Sequence, residues 1–483
     1  MKQEKSLKKN AVLNIIRNIM SIIFPIITFP YASRILLPDG IGKVSFANSI
    51  ISYFSMLAGL GIGTYGCREV AKLRDKQNEL NKFCSETLLI NLTSTSAAYI
   101  LLIGAIIAIP ALHNYRLLII IASLNIFLST IGIGWVYGGL EEYEYITIRT
   151  IIFQIISIIL IFALVRTKDD ILIYIFISVI SAAGSNILNL IHSRKFLKLK
   201  LIDKNLELKK HIAPIFKLFS ITVFMSVYNI LDTTMLGFLS TDEQVGFYSA
   251  ATKINRMVLT LVTAISAVMF PRLSYYANNS REEDFQKLIQ KNLSIIICIS
   301  LPMVIGLNIL SAPVILLFSG EKYIPAIPVM QLMNPIILIL SLSNFIGSQV
   351  FIPLNKEKLT IRAVTIAALV NFTLNFLLIP KYNAYGAAIA TVTAEVCVCI
   401  LQIFAARKYI NLKQMLKELL KYSLATLVMG IFVFLISSHI NNEFANVLLC
   451  SSLGAFIYAI ILFVLKDELF INIIMGSLRR LKK

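Results

Sequence analysis

The sequence predicts an all-α integral membrane protein. Three observations carry that prediction. Of its 483 residues, 57% are hydrophobic and only 15% are charged, whereas soluble domains carry about 25% charged residues. The apolar residues gather in runs of roughly 20, which suit a hydrocarbon core about 30 Å thick. The runs recur from end to end between short loops, so no soluble domain of useful size fits between them. Barrel strands would be shorter and would alternate in polarity.

The opening "MKQEKSLKKN" is basic. The apolar run after it is full length and lacks a small-residue cleavage site, so the segment reads as a cytosolic tail, not a cleavable signal. Fourteen candidate spans follow: 11–33, 44–65, 83–109, 116–138, 146–165, 171–192, 214–238, 245–270, 289–310, 325–350, 359–379, 384–406, 419–438 and 444–465. The first carries a polar stripe of Asn14, Arg17, Asn18, Ser21, Pro25 and Thr28; the second carries Ser45, Asn48, Ser52, Ser55, Gly59 and Gly63. The third is long and the tenth contains prolines. In the seventh, Thr222, Ser226, Asn229 and Thr233 recur at helical spacing with Asp232 beside them. The eighth sets Ser249, Lys253, Arg256, Thr260 and Thr263 on one helical face. Small polar stripes of this kind also serve plain helix packing.

Charge orients the chain. With both termini on one side, that side receives Lys2, Lys5, Lys8 and Lys9, the cluster Arg68 to Lys82, the dense loop Arg194 to Lys210, the cluster Arg407 to Lys421 and the closing "RRLKK". The other side holds Arg34, Lys43, Arg116, Arg166, Lys168, Lys322 and Lys381. The asymmetry predicts cytosolic termini. It also accounts for the net charge of +19 through anionic headgroups, with membrane lipids as neighbours. No nucleic acid is implied, since no folded domain is present to carry a basic surface.

The loop 193–213 divides the spans into six and eight. At an offset of 204 residues, Gly42 falls on Gly246, Ser45 on Ser249, Ala47 on Ala251, Ile50 on Ile254, Leu57 on Leu261 and Arg68 on Arg272. Both copies begin on the cytosolic side, as a parallel repeat would, and substrate sites commonly lie between repeats.

Charges inside spans need water or a partner. Asp232 falls about 9 Å, and Lys253 about 12 Å, below the outer ends of their spans at ~1.5 Å per residue. An Asp232–Lys253 or Asp232–Arg256 pair holding the hairpin together is one reading. It leaves one of those cations unmatched, together with Arg17; Glu395 in the twelfth span is the other deep carboxylate. The alternative is a net positive cleft for an anionic passenger such as a phosphate or diphosphate, whose oxygens suit the guanidinium fork. The substrate-binding candidates are Arg17, Arg34, Lys253 and Arg256. Asp232 and Glu395 are candidates for ion coupling or charge balance, and Asn14, Asn18, Ser52 and Asn229 for the cleft lining.

The six cysteines lie in spans or at their ends and read as small apolar residues. No metal set is expected. His113, His192, His211 and His439 are scattered, external loops are short, and "EEYEY" at 141–145 reads as a solvated span end, so no catalytic set appears. No glycine-rich nucleotide loop is present and no cofactor is expected.

The residues 29–75, "FPYASRILLPDGIGKVSFANSIISYFSMLAGLGIGTYGCREVAKLRD", resemble the Wzx-type polysaccharide flippases of bacteria. These belong to the multidrug/oligosaccharidyl-lipid/polysaccharide exporter superfamily. The likeness rests on "PYASR" at 30–34, "GIG" at 40–42, "FA" at 46–47, "YF" at 53–54 and "YGCREVA" at 65–71. It continues in "LDTTMLGF" at 231–238, "LFSGEKYIPAIPVM" at 317–330 and "YGAAIATVTAE" at 385–395. Many relatives place a basic residue after the position of Asp232, where this chain has Thr233.

The resemblance implies about 14 transmembrane helices in two related bundles of six, V-shaped and working by alternating access, plus two C-terminal helices. On that plan residues 1–192 form the first bundle, 193–213 a basic cytosolic linker, 214–410 the second bundle, and 411–483 the added helices and tail. It implies transfer of undecaprenyl-diphosphate-linked oligosaccharide from the inner to the outer leaflet of the bacterial cytoplasmic membrane, driven by an ion or the potential. The polysaccharide polymerase and chain-length machinery are candidate partners. Two other readings stay open. A multidrug or metabolite antiporter of the same superfamily would, for cationic drugs, need an acidic cleft. A membrane polysaccharide polymerase would usually carry a large external loop or a catalytic domain.

Overall fold

Proline sets where the longest apolar runs bend. Helix α1, Leu7–Gly59, contains Pro25, Pro30 and Pro38, and its backbone leaves the helical region at Leu37 (φ 61°, ψ 174°). Leu37 precedes a proline, whose ring disfavours the α conformation in the residue before it. The first two predicted spans are therefore two helical arms that meet directly at Leu37, with no open loop between them. Helix α16, Glu357–Ala406, repeats the device: it contains Pro380 and breaks at Asn383 (φ 51°, ψ −130°).

The structure is a computed structural model and describes residues 7–200, 206–279 and 281–471. The side chains of 7–12, 14, 15, 18, 21, 22, 221, 222, 224, 225, 265 and 267 are also outside the description. Between the two kinked helices run α2 (Ile62–Leu73), α3 (Gln77–Ala108), α4 (Arg116–Ile131), α5 (Gly134–Gly139), α6 (Tyr143–Leu164), α7 (Ile171–Val179), α8 (Asn186–Ser193) and α9 (Lys209–Leu239). Then come α10 (Asp242–Ala267), α11 (Phe270–Asn278), α12 (Glu282–Ile309), α13 (Ser311–Ser319), α14 (Ala326–Met333) and α15 (Ile336–Asn344). Helices α17 (Leu412–Ser437) and α18 (Glu443–Val464) follow α16. No strand occurs among the described residues.

Ten helical stretches of the described residues are long and apolar enough to cross a membrane. Two of them, Ile23–Leu73 and Glu357–Ala406, have 51 and 50 residues. Neither is straight: in the second the chain folds back at Asn383, so that a Cβ on Gly386 would lie 2.5 Å from the Leu378 carbonyl oxygen. The protein is an all-helical, multi-pass membrane protein. Its many exposed leucines, isoleucines and phenylalanines, such as Ile100, Leu101, Leu420 and Phe463, face lipid in such a protein, so their exposure carries no hydrophobic penalty.

The chain divides into two compact units, residues 1–246 and 247–483, and the dividing line falls inside α10. In the first unit α1 packs along α3, α4, α6 and α9, while α2 packs on α5. One close approach there demands glycine. A Cβ on Gly42 would stand 1.7 Å from the Asp242 carbonyl oxygen, and one on Gly246 would stand 2.1 Å from that of Pro38. Backbones that meet so closely leave no room for a side chain. These are the same two glycines that open the 204-residue correspondence in the sequence. In the second unit α12 packs on α17 and α15, α16 packs on α14 and α15, and α18 packs on α17 and α13.

Two π-helical segments interrupt the regular helices, Ile180–Gly184 and Phe345–Phe351. Such segments rotate the residues that follow and are frequent at functional sites. Both lead into buried polar groups.

Candidate functional site

The first unit buries an arginine. Arg149 on α6 is 7% exposed. Its Nη1 donates to Ser185 Oγ at 2.7 Å and to Asn186 Oδ1 at 3.4 Å. Ser185 and Asn186 directly follow the π-helical turn, which presents them to α6. Among the described residues Arg149 Nε has no hydrogen-bond partner. Both described hydrogen-bond partners of this guanidinium are neutral. Sequence reading passed over Arg149. The signal was present, because a lone arginine in an otherwise apolar helix marks a functional position in a membrane protein.

Arg17 belongs to the same region. The Thr147 hydroxyl donates to the Leu13 carbonyl at 3.3 Å, which pins α6 to α1 one turn before Arg17. Arg17 is half-buried and close enough to act on Arg149 through space. The neighbouring candidates Asn14 and Asn18 lie outside the described residues. Arg34 is exposed. It stands 17 residues along α1 from Arg17, about 25 Å at ~1.5 Å per residue, so the helix holds these two candidates apart. Near Arg34, Lys43 Nζ pairs with Asp39 Oδ2 at 2.7 Å.

Asp232 on α9 is 7% exposed, whereas Asn229, one turn earlier, is exposed. Asp232 lies within electrostatic reach of Tyr53 on the second arm of α1. Thr234 Oγ1 donates to Ser49 Oγ at 3.0 Å and bolts the two helices together beside it. Ser52, half-buried, donates to its own helix at Asn48 O, 2.7 Å. Asp232 is thus a buried carboxylate on the α1–α9 contact, within the first unit.

In the second unit Lys253 on α10 is half-buried and Arg256 is exposed. Glu395 on α16 is 8% exposed. Tyr248 Oη and Thr391 Oγ1 hydrogen-bond at 2.9 Å and join α10 to α16. Glu395 lies one turn beyond Thr391, and Lys253 lies little more than one turn beyond Tyr248. A further buried network was not expected from the sequence. Asn292 Nδ2 donates to Gln349 Oε1 at 2.8 Å, and Gln349 Nε2 donates to Ser266 Oγ at 2.8 Å. Gln349 sits in the second π-helical segment.

A third polar cluster stands where α2, α3 and α9 meet. His211 Nδ1 is 2.7 Å from Tyr65 Oη, and its Nε2 is 2.7 Å from Glu86 Oε2. Lys210 Nζ is 3.2 Å from the same carboxylate oxygen, and the Glu207 backbone N–H donates to Glu86 Oε1 at 2.8 Å. All of its acceptors are occupied, as a structural cluster requires.

With this geometry in hand, comparison with known proteins decides the family. The model of the family described as polysaccharide biosynthesis protein matches residues 7–277. The chain belongs to that family. The MatE model matches residues 219–377. A "Putative O-antigen transporter" of Shigella dysenteriae is 27% identical over 410 residues, covering 83% of this chain and 100% of the relative. Its namesake in Escherichia coli K12 is 25% identical, covering 83% of this chain and 97% of that one. Among solved structures, a lipid II flippase, MurJ, in an inward closed conformation superposes with a TM-score of 0.74 at 18% identity, over 95% of this chain and 99% of that one. The last likeness speaks to the fold.

The Wzx-type resemblance read from residues 29–75 is borne out by these matches. The family model covers the whole of α1 to α9, including Arg17, Arg149 and Asp232. Chemically, a buried guanidinium with neutral partners and a second one close by can take a dianion and hold it by paired N–H donors. The relatives named here are transporters and a flippase, and none carries an enzyme's name.

Proposed function

We propose that the protein moves a lipid-diphosphate-linked oligosaccharide from the cytosolic to the outer leaflet of a bacterial cytoplasmic membrane, with undecaprenol as the lipid. The observation that carries this reading is Arg149, buried in the first unit with only neutral described partners and with Arg17 close by. A buried guanidinium calls for polar or charged partners, and the diphosphate of an arriving cargo is one such partner. The names of the relatives support an oligosaccharide cargo.

In this proposal Arg17 and Arg149 contact the diphosphate, and Lys253, Arg256 and Arg34 meet it at other stages. Asp232 and Glu395 exchange protons or cations as the charge arrives and leaves. Such exchange biases a conformational equilibrium only through differential affinity for its two states. The two related bundles, 1–192 and 214–410, with 411–483 appended, are the organisation that the 204-residue correspondence supports. Both termini and the 193–213 loop are cytosolic in this scheme, and a polymerase and chain-length machinery receive the product.

The test is complementation. A strain lacking the gene should accumulate lipid-linked oligosaccharide on the cytosolic side and lose surface polysaccharide, and the chain should restore both. Restoration by Arg149→Ala at normal protein levels would refute the role of that arginine. A cysteine at Lys195 should resist an impermeant thiol reagent in intact cells; labelling would overturn the orientation. The MatE match over 219–377 favours a second reading, export of small molecules. Loss of drug or metabolite efflux on deletion, with surface polysaccharide intact, would select it.

A further inference from the structure

The first unit contains a cavity of about 340 Å³, lined in part by Asn91, Ser129, Gly134, Trp135 and Asn186. Its lining includes small residues from the junction of α1 and α2, Gly59 and Gly63 among them. Among the described residues no carboxylate, lysine or arginine lines it. Its size falls within the range of small-ligand sites, about 300–1,000 Å³.

The polar groups of the cavity are oriented from behind. Asn91, 6% exposed, donates its Nδ2 to the Ala58 carbonyl at 2.8 Å. That bond turns its Oδ1, which has no described partner, into the acceptor left for a ligand. Asn186 accepts from Arg149 Nη1 through its Oδ1. Its amide nitrogen is then the end left to donate. Arg149 is in this respect a positioning residue for Asn186. Ser129 adds a hydroxyl, and Trp135 adds an apolar ring whose opposite side is packed on Gly66 and against the edge of Phe83. A Cβ on Gly66 would lie 2.5 Å from the indole, so only glycine leaves the ring where it is.

A diphosphate needs cations and finds none in this lining. A hydrocarbon tail would leave the open ends of the two amides, Asn91 Oδ1 and the Asn186 amide nitrogen, without a partner, which buried polar groups avoid. Separated donors and acceptors around one aromatic ring match a neutral, polyhydroxylated ring. We propose that this cavity is a sugar subsite that holds one pyranose of the cargo oligosaccharide while the diphosphate engages Arg17 and Arg149. The inference rests on the proposed flippase function and deepens it. Charge recognition at the arginines is indifferent to sugar identity, whereas the cavity reads hydroxyl pattern and ring size.

Trp135 is the chain's single tryptophan, so intrinsic tryptophan emission reports this cavity and nothing else. The full-length protein, purified in detergent, is titrated with two probes. One is the oligosaccharide released by mild acid from the lipid-linked pool of the host strain; the other is inorganic diphosphate. The oligosaccharide should shift or quench the emission, and diphosphate should not. A Cβ at Gly59 or Gly63 meets no atom within 4 Å, so Gly63→Leu and Gly59→Val enter the cavity with free space at Cβ. Each should weaken the oligosaccharide response about tenfold or more, as should Asn186→Ala.

Wild-type emission that ignores the oligosaccharide, or that responds to diphosphate instead, overturns the subsite. So does a wild-type response in either filled variant. Complementation separates this outcome from failure of the flippase reading. A chain that binds oligosaccharide but restores no surface polysaccharide refutes transport alone. A chain that restores it without an emission response refutes the subsite alone.

Discussion

His211 Nε2 lies 2.7 Å from Glu86 Oε2, and both side chains are buried, at 3% and 0% exposure. The pair joins the first turn of α9 to α3, and Tyr65 on the other ring nitrogen adds α2. Phe83 packs its ring 5.3 Å from His211 and 6.0 Å from Trp135. The start of α9 is therefore mechanically continuous with the wall of the sugar cavity.

Glu86→Ala leaves His211 and the Glu207 amide without their acceptor. Leaving buried polar groups unsatisfied costs about 1–3 kcal/mol each, so the variant should melt below the wild type in detergent. Glu86→Gln keeps the shape and one acceptor and should cost less. Equal melting temperatures for all three proteins would show that the cluster contributes nothing to stability.

Arg149→Ala should abolish surface polysaccharide while the protein still reaches the membrane. Arg149→Lys should restore only part of it, because an ammonium can stand in for Nη1 at Ser185 and Asn186 but lacks the guanidinium's remaining planar donors for the diphosphate. Alanine at Arg17, Lys253 and Arg256 should have the same effect in the same assay, and Arg17→Lys should rescue partly. A loss of polysaccharide that merely follows loss of folded protein would mark these residues as structural.

Asp232→Asn should leave folding intact and slow turnover. The amide keeps the shape of the carboxylate beside Tyr53 and Thr234 and removes its charge. A transport rate equal to wild type across the accessible pH range would eliminate Asp232 from ion coupling.

The segment after α18 predicts a pH dependence. Burial by itself would raise the pKa of Asp467. The Lys421 ammonium, the Phe470 backbone N–H at 2.7 Å and the Tyr422 hydroxyl at 3.1 Å outweigh burial and hold it below the ordinary carboxylate value. A carboxyl whose folded pKa is depressed stabilises the fold above its unfolded value, about 3.9. That stability is lost as pH falls through the folded value. Melting temperature should drop below about pH 4 in the wild type, and the drop should be smaller in Asp467→Asn. Parallel curves would exclude Asp467 as a contributor.

The sequence by itself determined the membrane class, the positions of the apolar helices and the family. These depend on composition and on order along the chain, and a run of about 20 apolar residues needs no partner to declare itself. It also marked Asp232 and Glu395, because a charge inside such a run stands out without any structure. Only the tertiary structure decided that the first two spans meet directly at Leu37 without a loop, since that junction depends on backbone torsion. It alone separated Arg17 from Arg34 along one helix and set Arg149 beside Ser185 and Asn186, 36 and 37 residues away. The cavity at Trp135 was likewise illegible in sequence. Its walls come from α1, α2, α3, α4 and α5 and from Asn186 at the head of α8. Each contributes one to three residues, most of them small or polar, that, read along the chain, look like ordinary packing.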